Sequence, residues 1–185
     1  MLSCGGSAVN LLEAPTMQRI LKVAHIIGLA VFLGSIPGHI VLGALGDPVA
    51  DPAGFALLMH AKHVNVVILT IPALVFTALT GAALAWRRRL SPTAHRWLGV
   101  KVVLVGLIGV NGALVLRPLS AEIARMAAEA AAGGIVPAAI ASLAARESAF
   151  GAANLAVVVA VIALSVARPR LGAVQGPASS RPGVV

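Results

Sequence analysis

Two histidines, His25 and His39, lie inside one apolar stretch, LKVAHIIGLAVFLGSIPGHIVLG, at residues 21–43. An imidazole in hydrocarbon is costly unless it is hydrogen-bonded or bound to a metal. Ionisable side chains within membrane segments therefore read first as functional. On an α-helix, fourteen positions separate the two rings by roughly 21 Å in depth and about 40° around the axis. Both fit one interior face, each near a different membrane surface. Lipid-facing sequence flanks His25 on both sides, so it is a candidate for a cofactor or proton role.

The other polar residues sort by depth. His60 and His63 are three apart and share a helical face. With His39 they form a candidate metal-ligand set in the outer half, alongside Asn65, Asn111 and Asn154. The bland alternatives are solvated interfacial histidines and asparagines that bond between helices. Near the inner surface lie His25, Lys101 and the loop residue His95. Lys101 follows Trp97 by four positions and is shallow enough to snorkel. Glu147 is expected outside the lipid and Glu13 before the first span. No intramembrane carboxylate is then left for a proton relay, which argues against an ion-coupled transporter. The one cysteine, Cys4, excludes an internal disulfide and a cysteine-based zinc site.

The elements that position these groups follow from composition. The 185 residues are 59% hydrophobic and 11% charged, with mean hydropathy +0.97. Globular domains carry about 25% charged residues, so this chain takes lipid as its solvent, and a soluble enzyme is excluded. A spanning helix needs roughly 20 apolar residues. Four segments qualify, at about 20–45, 64–86, 97–116 and 150–167, which predicts an all-α, four-helix transmembrane bundle. The formal charge of +8 is a topology signal and not a nucleic-acid patch. Ten of the fourteen Lys and Arg residues, including Arg87, Arg88 and Arg89, fall on the side shared by both termini and the central loop. Basic residues concentrate on cytoplasmic loops, so both termini are expected in the cytoplasm.

Residues 1–16 lack a signal peptide's basic n-region and h-region. They read as a disordered leader, with Met17 as an alternative start. The bundle spans 17–170, and residues 171–185, rich in Gly, Pro and Ser, read as a disordered cytoplasmic tail. FALLMHAKH reads as a short interfacial helix before the second span. The stretch 117–148 has apolar residues at helical spacing on both sides of Gly133 and Gly134. It predicts a helical hairpin that extends spans 3 and 4 on the outer side. Pro37 and Pro72 are expected to kink their helices. Gly34 with Gly38, and Ala78 with Ala82, have the small-residue spacing that lets helices approach closely.

The opening LKVAHIIGLAVFLGSI resembles the first helix of a group of small bacterial membrane proteins. That group includes predicted integral-membrane families of unknown function, the copper-resistance CopD-type proteins and the HemJ-type protoporphyrinogen oxidases. The motifs are Lys22, His25 and the FLG at 32–34, Trp97 followed by Lys101, and ARPRLG at 167–172. The resemblance implies a four-helix bundle of the bacterial inner membrane that binds haem b through His25, with Lys101 implicated beside it. A redox role would bring a membrane redox partner, and a homo-oligomer also fits. The second function class is a non-catalytic scaffold, or a copper or transport accessory protein. Met59 stands alone beside His60, without the methionine-rich surroundings that suit copper.

Overall fold

The computed structural model describes residues 8–93, 95–133 and 135–167. They form four long apolar helices joined by short turns, with no strand among the described residues. Helix α1 is Ala8–Ala44. Helix α2 is Pro52–Arg87, α3 is Arg96–Ala131 and α4 is Ala139–Ala167; each of the four is long and apolar enough to cross a membrane. At 1.5 Å per residue, α2 and α3 are each about 54 Å long, well beyond a hydrocarbon core of roughly 30 Å.

Two boundaries differ from the sequence expectation. Residues 8–16 are helical and continuous with α1, not a disordered leader. Ala8, Leu11, Leu12, Glu13 and Ala14 are good helix formers, and extending an existing helix needs no new nucleus. Residues 1–7 and the tail 171–185 lie outside the described residues. FALLMHAKH is likewise not a separate interfacial helix but the start of α2. Asp51 sets that start, its side chain accepting from Gly54 N–H at 2.9 Å with Pro52 in the first turn.

Inside α2 and α3 the helical turn widens at Val66–Thr70 and Gly112–Leu116. Ile71 N–H donates to Val66 O, and Arg117 N–H to Gly112 O, each five residues back. Pro72 and Pro118 explain both. A proline ring inside a helix removes one donor and crowds the carbonyl four residues earlier, so the preceding turn opens into a π-bulge.

Helix α1 presents His25, Gly28, Phe32, Ser35 and His39 on one stripe, at alternating spacings of three and four. Phe32 and Ser35 are buried. At Gly28 an added Cβ would lie 2.7 Å from Phe76 Cδ1 and Thr77 Oγ1, so this glycine sets the close approach to α2. The spacing signal at Gly34 and Gly38 is a miss, because both sit off the stripe with nothing within 4 Å. Ala78 and Ala82 are also exposed.

The end of the bundle carrying Arg87–Arg89 is called here the arginine-rich end, and the opposite one the distal end. Distally, the first half of α2 packs along Arg117–Ala131 of α3. Phe55, Met59, Ile123, Ala127 and Ile140 form its apolar core. The α3–α4 connection is thus backed by α2 and does not stand as a free two-helix hairpin. Midway, Phe32, Ala73, Ile108 and Val158 supply one core residue from each helix. Towards the arginine-rich end α2 and α3 barely meet. There Ile26, Ile27, Val102 and Val103 are exposed, as residues facing lipid are.

Candidate functional site

Four polar side chains are buried among the described residues: Ser35, Thr80, Ser120 and Glu147, one from each helix. Burying such groups costs free energy unless they find partners. Their partners outline the sites.

Glu147 is 3% exposed, although it was expected outside the lipid. Its Oε2 accepts from Lys62 Nζ at 2.5 Å, and its Oε1 from His39 Nε2 at 3.2 Å. Lys62 and His39 are themselves only 11% and 23% exposed. Gly43 makes room for the lysine, since a Cβ there would come within 3.1 Å of Nζ. With Nε2–H donated to the carboxylate, His39 Nδ1 is buried without a partner. These three groups come from three helices, and a carboxylate bound to one cation and one imidazole is locally charge-balanced.

All three line a cavity of about 600 Å³, bordered distally by Phe55, Met59 and Ile123 and in mid-bundle by Phe32, Ile108 and Val158. Its wall is overwhelmingly apolar, and its size is that of a small-molecule site. Both widened turns contribute to it through Val66, Thr70, Gly112 and Leu116. Polar pins hold the α2 bulge in place. Asn65 Nδ2 donates to Ser35 O at 3.0 Å, and Thr70 Oγ1 reaches Ser35 Oγ at 3.0 Å. Asn154 lines the cavity, whereas Asn111 donates from α3 to Phe150 O on α4 at 3.2 Å.

His25 belongs to a second, smaller cluster. Its Nδ1 is 3.0 Å from Thr77 O and 3.1 Å from Thr80 Oγ1. A carbonyl only accepts, and the Thr80 hydroxyl donates to Phe76 O at 2.8 Å. His25 therefore donates through Nδ1–H, which leaves the lone pair on Nε2. Gly81 lies against the ring, where a Cβ would be 3.0 Å from Cε1. Lys101 is half-buried on α3 and within electrostatic reach of His25.

The histidine set His39, His60 and His63 is not brought together. His63 Nδ1 bonds Ser120 Oγ at 3.0 Å, His60 is exposed, and His39 turns to Glu147. No group of three His, Cys, Asp or Glu side chains that could hold a metal occurs among the described residues. Met59 is packed in the distal core. Lys62 is not among the residues whose type and spacing point to a site, and Glu147 was expected outside the lipid. The one available signal was an opposite-charge pair at the ends of two spans, with Lys62 between His60 and His63.

Four membrane-length helices around a mostly apolar cavity define a multi-pass integral membrane protein. The chain belongs to the DUF2269 family, described as a predicted integral membrane protein, which it matches over residues 19–169. No curated protein and no solved structure matches it.

Proposed function

We propose that this protein binds an amphiphilic molecule of the bilayer in its central cavity, a non-catalytic binding or transport-accessory role. The observation that carries this reading is the buried Lys62–Glu147–His39 cluster on the wall of an otherwise apolar 600 Å³ space. A buried ion pair is a poor stabilising device compared with packed apolar residues. Placed at one end of a ligand-sized cavity, it gives a polar head its partners while the apolar wall takes a chain. The distribution of basic residues supports a bacterial inner-membrane topology with both termini in the cytoplasm. The cavity then lies towards the outer surface, and residues 117–148, backed by α2, extend spans 3 and 4 on the outer side. Native mass spectrometry of protein extracted in mild detergent tests the reading. Wild type is expected to retain a lipid-sized adduct, and Ala113→Trp, which puts an indole at a cavity-lining position, is expected to lose it. An adduct-free wild type would overturn it.

A second reading, haem b binding, is favoured by the Nδ1–H bond from His25 to Thr77 O. Metal-ligating histidines characteristically donate their other ring N–H to a backbone carbonyl, which fixes the tautomer and aims the lone pair. His25 Nε2 would hold the iron and Lys101 would lie beside the group, as in the resemblance to CopD-type and HemJ-type proteins. The haem would supply one-electron chemistry. The second axial position has no histidine in the spans at the depth of His25 among the described residues. Purified protein should then show a haem absorbance band that His25→Ala abolishes while the bundle still inserts. A colourless wild type purified from haem-replete cells would exclude it.

A further inference from the structure

Between α1 and α4 the cavity lies close to the lipid-facing surface. Helices α1 and α4 barely touch. Between them lies a depression lined by Leu33, Ile36, Pro37, Ile40, Val41 and Leu155. Ile36, Ile40 and Leu155 also line the central cavity, so the two spaces share a wall. The seam is apolar throughout. A charged head crossing it would lose its hydration with no partner on the way, which is strongly unfavourable.

The polar end makes the same selection. Lys62 and Glu147 cancel each other's charge, and His39 is the one other titratable side chain lining the cavity among the described residues. Arg146, adjacent in sequence to Glu147, is exposed and does not line it. A ligand carboxylate would bring a second negative charge to Glu147, and a ligand ammonium would compete with Lys62. A hydroxyl suits what is left. An ammonium has three N–H donors and a carboxylate has spare lone pairs, and a hydroxyl accepts from the first and donates to the second. A hydrocarbon without a head would use neither.

We infer that the ligand of this cavity is an uncharged, hydroxyl-bearing long-chain amphiphile that enters laterally from the bilayer between α1 and α4. This deepens the proposed amphiphile binding and rests on it. The occupant lies with its chain among the apolar wall residues and its hydroxyl at Lys62 and Glu147.

The test uses full-length protein in phosphatidylcholine nanodiscs and a hexadecanol carrying a chain diazirine. Photolabelling followed by peptide mapping reports the site. Competition by hexadecanol, palmitate and hexadecylamine reports the head group. The expected result is labelling of cavity-lining residues, displaced at least 10-fold better by hexadecanol than by either charged analogue. Val41→Trp, at an exposed position that lines the depression and not the central cavity, should slow labelling by a similar factor. Cavity labelling displaced best by palmitate or hexadecylamine would overturn the neutral-head inference and leave amphiphile binding standing. Cavity labelling as fast in Val41→Trp as in wild type would overturn the lateral route. No labelling within the cavity by any of these probes would overturn both the inference and the binding reading beneath it.

Discussion

The two ends of this bundle solve the same problem differently. At the distal end, α2 and α3 press together through Phe55, Met59, Ile123 and Ala127, and the buried charges of Lys62 and Glu147 sit just beneath. At the arginine-rich end, α2 and α3 hardly meet, and α1 is tied to α2 by Gly28 and the His25 bond to Thr77 O. One end is organised by dense packing around an ion pair. The other relies on the close α1–α2 crossing with its one imidazole bond, and on the packing of α3 against α4. Apolar residues gain little by leaving hydrocarbon for a helix interface. Distal changes should therefore cost more than similar changes near the arginines.

The largest effect is expected from Glu147→Ala, which leaves the Lys62 ammonium buried and unpaired. Removing one partner of a buried ion pair costs about 3–5 kcal/mol, read as a marked fall in the unfolding midpoint in detergent or nanodiscs. The double variant Lys62→Met with Glu147→Leu should recover most of that stability. A single variant as stable as wild type would erase the contrast between the two ends.

Ile123→Ala comes next, because Ile123 is 2% exposed in the distal core. Emptying such a site costs about 2–5 kcal/mol. Val103→Ala removes a similar apolar group from the lipid-facing surface and should stay within about 0.5 kcal/mol. Equal losses at the two positions would mean that the arginine-rich half is as tightly packed as the distal half.

A sharper test of the α1–α2 crossing compares two glycines on one helix. Gly28→Ala drives a methyl to within 2.7 Å of Phe76 and Thr77 and should cost about 1–3 kcal/mol. Gly34→Ala meets nothing and should be neutral or slightly stabilising through helix propensity. Matching effects would show that the crossing does not run through Gly28.

The smallest effect concerns the distal turn before α2. Backbone N–H groups of Ala50 and Val49 hold the exposed Asp47 carboxyl below its ordinary range. A depressed carboxyl contributes order that is fully present above its unfolded pKa and is lost as pH falls through the folded one. Acidification should therefore speed amide exchange at Val49 and Ala50, after correction for intrinsic rates, with global stability little changed. Asp47→Ala should abolish that pH dependence, and a dependence that persists would locate it elsewhere.

The helices were legible along the chain because length and hydropathy are local properties. So was the shared face of His25 and His39, since fourteen residues of helix return nearly to the same azimuth. The site was less legible. Glu147 reads as a surface residue beside Arg146 and Ser148. Only the packing of α4 against its neighbours turns it inward to meet Lys62, 85 positions earlier in the chain.

By itself, then, the sequence determined a lipid-embedded, four-helix chain and the stripe that α1 presents to its neighbours. Both follow from composition and helical period. Only the tertiary structure decided which polar groups meet, that Pro72 and Pro118 open turns onto a common cavity, and that α1 and α4 leave a seam. Those outcomes depend on pairings between residues far apart in the chain, which no local pattern encodes.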